Sequence, residues 1–122
     1  MSIMVCVTGQ KSCERLIVAG ARIAEREGEP LLVMHVARRG NNVLGYANEP
    51  EALEYLLKIS IDHNADMFVK KSDDVLGTIE QEAREQKARV IVAGRAINYS
   101  GWDMLDELRE RLPGVRFEVL SS

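Results

Sequence analysis

The chain has 122 residues, 46% of them hydrophobic, which is enough for one core and one domain over residues 1–122, with no room for a second. Its formal net charge is −3 with acidic and basic residues interleaved, which excludes a broad nucleic-acid or anionic-membrane surface and leaves space only for a small cationic pocket. The first residues, Met1 to Val7, lack a basic flank, and no apolar run approaches a bilayer span, so a soluble, cytoplasmic protein is expected.

Apolar runs at Ile3–Val7, Leu31–Val36, Met67–Val69 and Val90–Ala93 are each followed by a polar loop and a helix-length segment. Continuous runs of this kind are expected of parallel strands covered on both faces, so the rhythm predicts a doubly wound α/β sheet. The first strand leads through Thr8-Gly9-Gln10-Lys11-Ser12 into a helix from Cys13 to Glu27, stopped by Gly28, with Leu16, Ala19, Ile23 and Ala24 toward the sheet. Pro30 opens the second strand, and a loop rich in Arg, Gly and Asn follows from Ala37 to Asn48. Asn48 as N-cap with Glu51 three positions on resembles a capping box, and the helix behind it is expected to bury Leu53, Leu56, Leu57 and Ile61 and to end near His63-Asn64.

The third strand covers Ala65–Val69, and Asp73 or Asp74 caps a helix in which Ile79 and Ala83 recur at helical spacing. The fourth strand, Arg89–Ala93, closes on Gly94. A loop over Arg95–Gly101, a helix over Trp102–Leu112 and the break at Pro113-Gly114 lead to a last strand, Val115–Leu120. There Val115, Phe117 and Val119 alternate with Arg116 and Glu118, the pattern of a half-covered edge strand.

Several sharper motifs fail on spacing or residue type. Gly9-Gln10-Lys11-Ser12 resembles the tail of a Walker A loop, but no glycine stands five positions before Gly9. No G-x-G-x-x-G fingerprint is present. A response-regulator receiver needs carboxylates where Thr8 and Lys70-Lys71 stand. His35 and His63 belong to no metal-binding pattern and read as a core histidine and a solvated helix-end histidine. Cys6 falls inside a strand, where burial makes a thiol inert. Cys13 falls in a first helical turn, where the dipole favours thiolate but no partner base is near in sequence. Asp73-Asp74 reads as a helix cap before it reads as an acid/base pair. No catalytic set and no metal set emerges.

What converges is the carboxyl edge of the sheet, where open α/β sheets bind ligands and helix N-termini offer free N–H groups to an anion. Thr8–Ser12, Arg38-Arg39 and Gly94–Gly101 all emerge there. Lys11, Arg38, Arg39 and Arg95 supply positive charge, and Tyr99 or Trp102 an aromatic wall for a base. The alternative is that these are solvated loop cations, with Trp102 anchoring the fourth helix to the sheet.

Ile3-Met4-Val5-Cys6-Val7 with Ser12-Cys13-Glu14-Arg15-Leu16-Ile17, then Leu32-Val33-Met34-His35-Val36, then Ile79-x3-Ala83-x4-Ala88-x-Val90-Ile91-Val92-Ala93-Gly94-Arg95, together resemble the universal stress protein family over essentially the whole chain. Within it, Cys6-Val7 leading to Ser12-Cys13-Glu14-Arg15-Leu16-Ile17, and Gly94-Arg95 followed by Ser100-x-Trp102, are most similar to the universal-stress domain of potassium-responsive sensor kinases. The resemblance implies a single three-layer α/β/α, Rossmann-like domain with a five-stranded parallel sheet in order 3-2-1-4-5. It also implies homodimers through the last strand, here Val115, Phe117 and Val119. It implies a nucleotide or anion site between strands one and four, here Thr8, Gly9, Gln10, Lys11, Ser12, Val36, Arg38, Gly94, Arg95 and Ser100. One subclass holds ATP with an aspartate ending strand one and a G-x2-G-x9-G-[S/T] loop after strand four. This chain has Thr8 for the aspartate, Gly94 for the first glycine and Ile97 for the second, with no downstream Gly-Ser/Thr. A bulky Ile97 where backbone must approach phosphate argues against that ATP geometry. The expectation is a non-enzymatic regulatory module with ATP, AMP or cyclic di-AMP as candidate ligands, cyclic di-AMP first because the sensor-kinase branch includes domains that bind it. The alternatives are an adenine-nucleotide hydrolase-like enzyme and an interaction module with no ligand.

Overall fold

The structure is a computed structural model that describes residues 1–7, 10–37, 49–94 and 104–120, with the backbone alone at 10–13, 37, 49–52 and 104. Five strands and four helices alternate along these residues: β1 (Ser2–Cys6), α1 (Gln10–Glu27), β2 (Leu31–Ala37), α2 (Glu49–Asp62), β3 (Ala65–Lys71), α3 (Val75–Glu85), β4 (Ala88–Gly94), α4 (Met104–Arg111) and β5 (Arg116–Leu120). All strand pairs are parallel, and the sheet order is β3-β2-β1-β4-β5.

Alternation along the strands divides the apolar residues between two cores. Ile3, Val5 and Val7 of the first strand segment, Leu31 and Val33 of β2, and Val90 and Val92 of β4 meet Leu16, Ile17 and Ile23 of α1 and Leu56 of α2. Met4, Cys6, Leu32, Met34, Ile91 and Ala93 meet Ile79 and Ala83 of α3 and Leu105 and Leu108 of α4. β1 is buried at every position, as a strand must be when helices cover both faces and strands flank both edges.

Turn chemistry fixes the helix ends. Gly28 adopts φ +67° after α1, and the Glu29 N–H reaches back to the Ala24 carbonyl at 3.0 Å, a Schellman closure that needs the left-handed residue. Asn64 and Lys87 take the same left-handed role after α2 and α3. Asp74 caps α3, its side chain accepting from the Gly77 N–H at 2.9 Å.

Several boundaries and faces differ from the sequence reading. α1 begins at Gln10, not Cys13, because the polar residues ahead of Cys13 carry no apolar periodicity and still form helix. β5 begins at Arg116, and Val115 lies in the preceding turn with its N–H bonded to the Leu112 carbonyl at 3.1 Å. β3 runs two residues further, to Lys71, and as an outer strand leaves Met67, Phe68 and Val69 only half-buried. Within α2, Leu56 is fully buried and Leu53 half-buried, but Leu57 and Ile61 are 45% and 61% exposed. The helix lies over the border of the sheet, so the side holding Leu57 and Ile61 finds no sheet beneath it. His63 is half-buried instead of solvated, with Nδ1 at 3.0 Å from the Ile59 carbonyl. The Asn48 and Glu51 capping box lies outside the described residues and side chains.

Gly20, in the middle of α1, has a packing reason. A Cβ there would run into the Val5 Cγ2 methyl and press on Leu31 at 3.1 Å, so the bare backbone lets α1 seat on β1. Gly20→Ala is expected to lower the unfolding free energy by about 1–3 kcal/mol through overpacking, outweighing alanine's advantage of about 1 kcal/mol in helix propensity. Urea unfolding of the two proteins checks it, and an unchanged or raised midpoint contradicts the tight α1–β1 contact.

Candidate functional site at the carboxyl edge

β1 is hydrogen-bonded to β2 on one side and to β4 on the other, with Cys6 opposite both Met34 and Ala93. The helix after β1 packs on one face of the sheet, and the helices flanking β4 pack on the other. The connections therefore leave the β1–β4 seam toward opposite faces, the arrangement that opens a ligand crevice beyond the strand ends. The N-terminus of α1 lies at the same end, within reach of this seam from Val7 to Gln10.

Just beneath the edge, on the α3/α4 side, sits an apolar cavity of about 40 Å³ bordered by Cys6, Val36, Ile79, Ala93, Gly94 and Leu105, among others. A water requires roughly 10–15 Å³ of such space, and cavities that take a benzene ring are about 150 Å³. The cavity is thus too small for a purine. Burial pushes the Cys6 thiol up to about 12, so it stays protonated and unreactive at neutral pH. Among the described residues no three His, Cys, Asp or Glu side chains converge to hold a metal ion.

His35 on β2 is 5% exposed, and its Nδ1 lies against the Val7 carbonyl at the end of β1. A carbonyl oxygen only accepts, so Nδ1 carries the proton and donates, which leaves Nε2 as an unprotonated acceptor. Nε2 is buried and has no hydrogen-bond partner among the described residues. Burial holds the imidazole below its ordinary range despite the Val7 bond, so the ring is neutral. The ring ties the last residue before the first loop to β2, and so braces the crevice wall.

Of the residues expected at the site, Val36 is the last but one residue of β2, Gly94 ends β4, and both border the cavity. Gln10, Lys11 and Ser12 form the first turn of α1, with side chains outside the described residues. Thr8, Gly9, Arg38, Arg39, Arg95, Ile97, Tyr99, Ser100 and Trp102 lie outside the described residues, as does the side chain of Cys13. The sequence reading missed the part of Cys6, Met34 and Leu105 in the cavity. The signal for it was strand parity, since Met4, Cys6, Met34 and Ala93 all point to the α3/α4 side.

The neutral His35 carries a pH signature. The unfolded chain protonates at the ordinary imidazole value of 6.5 whereas the folded chain resists the proton to lower pH. Stability from this group is therefore full above 6.5 and lost as pH falls from there toward the folded value. Urea unfolding between pH 8 and pH 5, in steps of roughly half a unit, is expected to show that decline, with a slope that stays below one proton. His35→Phe is expected to flatten it, at a cost of about 1–3 kcal/mol for the orphaned Val7 carbonyl.

No protein-family model matches the sequence, and no curated protein matches it. Solved structures do. A universal stress protein from Archaeoglobus fulgidus superposes with a TM-score of 0.61 at 21% identity, covering 99% of this chain and 97% of that one. A universal stress protein in complex with cAMP gives 0.65 at 16% identity over 100% of this chain and 96% of that one. The Archaeoglobus fulgidus universal stress protein in complex with dAMP gives 0.63 at 19% identity over 99% and 96%. Together with the strand order β3-β2-β1-β4-β5, these matches show that the chain has the universal stress protein fold, from its first strand to its last.

Proposed function

We propose that the chain is a member of the universal stress protein family and acts as a cytoplasmic, non-enzymatic regulatory module that binds an adenine nucleotide at the β1/β4 crevice. The observation that carries this is the coincidence of fold and ligand. Two of the matching structures, at nearly full length on both sides, hold cAMP and dAMP. In this chain β1 and β4 end side by side, with connections diverging at their seam. The residues proposed to receive the ligand are Thr8 to Ser12 after β1, Val36 and Arg38 at β2, and Gly94, Arg95 and Ser100 after β4. Lys11 and Arg95 would answer the phosphate charge, and the α1 N-terminus would add N–H donors.

Thr8, Ile97 and the missing Gly-Ser/Thr pair disfavour the ATP geometry of the nucleotide-binding subclass, so AMP-like ligands and cyclic di-AMP rank ahead of ATP. The similarity of Cys6-Val7 with Ser12-Cys13-Glu14-Arg15-Leu16-Ile17, and of Gly94-Arg95 with Ser100-x-Trp102, to sensor-kinase stress domains favours cyclic di-AMP as the first to test. Titration calorimetry with AMP, ATP and cyclic di-AMP is expected to give a saturable heat with at least one of them. The double variant Lys11→Ala/Arg95→Ala is expected to weaken it by about tenfold or more, as removal of charge-assisted contacts does. No heat with any of the three, or an unchanged constant in the variant, rejects the site.

The same reading gives a homodimer through β5. That strand is an outer one, with Phe117 and Val119 half-buried, Arg116 and Glu118 exposed, and Arg109 lying 5.8 Å from the Phe117 ring centroid. Glu118→Arg leaves the core untouched, since the side chain is exposed. It is expected to lower the dimer fraction in light scattering after size exclusion. A mass that does not respond places no self-contact at β5.

A further inference from the structure

The opposite border of the sheet carries a second surface. β3 is an outer strand of seven residues without proline, apolar at its centre, which is the kind of edge that recruits another strand unless something blocks it. Above it lies α2. Tyr55 on α2 donates to Glu14 of α1 at 3.2 Å, which marks the side of α2 turned toward α1. At about 100° per residue, Leu57 falls nearly opposite Tyr55, and Ile61 lies one turn further on the same side. That side faces away from α1, toward the outer border of the sheet at β3. Leu57 and Ile61 are, with Met1, the large hydrophobics that stay exposed among the described residues.

The strand itself says what fits there. β3 reads Ala65-Asp66-Met67-Phe68-Val69-Lys70-Lys71. An antiparallel pairing that keeps each helical layer on its own face must match residues of equal parity. With Phe68 on the axis, Asp66 faces Lys70 of the second copy, Met67 faces Val69, and Phe68 faces Phe68. Sliding by one pair in either direction sets Phe68 against Lys70 or against Asp66. Asp66 and Lys70 are exposed and share the parity of Phe68, and Lys70 meets Glu82 of α3 at 3.2 Å, so both charges belong to the α3 face of the strand. Opposite charges directly across strands stabilise a pair and like charges oppose it.

We propose that β3 is a self-pairing edge: a second copy of this chain docks there across a two-fold axis at Phe68, joining the sheets antiparallel and covering Leu57 and Ile61 of both copies. The surface is separate from β5 and does not depend on nucleotide binding.

Sedimentation velocity of the full chain over a concentration series tests it, with circular dichroism to confirm that each variant is folded. The unsubstituted chain is expected to self-associate as concentration rises, and to keep doing so in Glu118→Arg, which reports only on β5. Asp66→Lys is expected to weaken the association about tenfold or more, because the like-charge contact occurs twice in a two-fold interface. Asp66→Lys/Lys70→Asp restores the pairing by exchanging the charges and is expected to recover the association. Leu57→Glu/Ile61→Glu is expected to weaken it as well. A chain that stays monomeric throughout the series overturns the proposal. So does an association curve that Asp66→Lys and Leu57→Glu/Ile61→Glu leave unchanged, or one that the charge exchange fails to recover.

Discussion

Everything at the carboxyl edge depends on β1 lying between β2 and β4 and being buried on both faces. A strand in that position has no free edge and no solvated side, so its backbone is held by two ladders and its side chains by two cores. It also brings residues near position 7 beside residues near position 94, a juxtaposition no local interaction makes. Gly20 is part of the same constraint: the helix leaving β1 can press on it only because that position has no side chain. The crevice is therefore a by-product of how tightly the central strand is gripped, and the His35 ring fastened to the Val7 carbonyl extends that grip one residue beyond the strand.

The amino-terminal edge is managed differently. Glu27, at the end of α1, meets Arg116 at the start of β5 and Arg89 near the start of β4, while Glu29 meets Arg89 and the chain's amino group. The Arg116 guanidinium donates to Glu27 and, foremost among its neighbours, holds that carboxyl below the usual carboxylate range. Each exposed pair contributes little alone. Their joint effect is positional: charges link a helix end to two strand starts on the side away from the crevice. On the far face, Arg84 donates to the Arg111 carbonyl and Glu80 meets Arg111, tying α3 to α4.

The doubly wound architecture was legible because the strand runs are nearly all apolar and the segments between them have helical spacing. Gly28 and a cap at Asp73 or Asp74 were legible because turn and cap chemistry is local, and the structure selects Asp74. Strand order was not: nothing in Met67-Phe68-Val69 distinguishes an outer strand from an inner one, and only the family resemblance supplied the 3-2-1-4-5 order. The exposed side of α2 was misread for a related reason. Leu53, Leu56, Leu57 and Ile61 make an apolar stripe, and a stripe records which residues are apolar, not how much sheet lies under the helix. Near the site, the strand ends were legible to within one residue, β2 closing at Ala37 instead of Val36 and β4 at Gly94 instead of Ala93, because apolar runs stop close to where loops begin. The cavity escaped notice because it is built from ordinary core residues, and its existence depends on how far apart α3, α4 and the sheet settle. His35 was legible as a core histidine, but its bond to Val7 spans 28 positions and has no local sequence mark.

Odd-numbered positions of the first strand serve one helical pair and even-numbered positions the other. Position is thus the only label that tells Ile3 and Val5 from Met4 and Cys6, all of them unremarkable apolar residues. An exchange of one such residue for another perturbs one interior. Insertion of a single amino acid within the strand would swap the assignments of everything beyond it and misplace the seam at once, so this segment should accept change of identity far more readily than change of count.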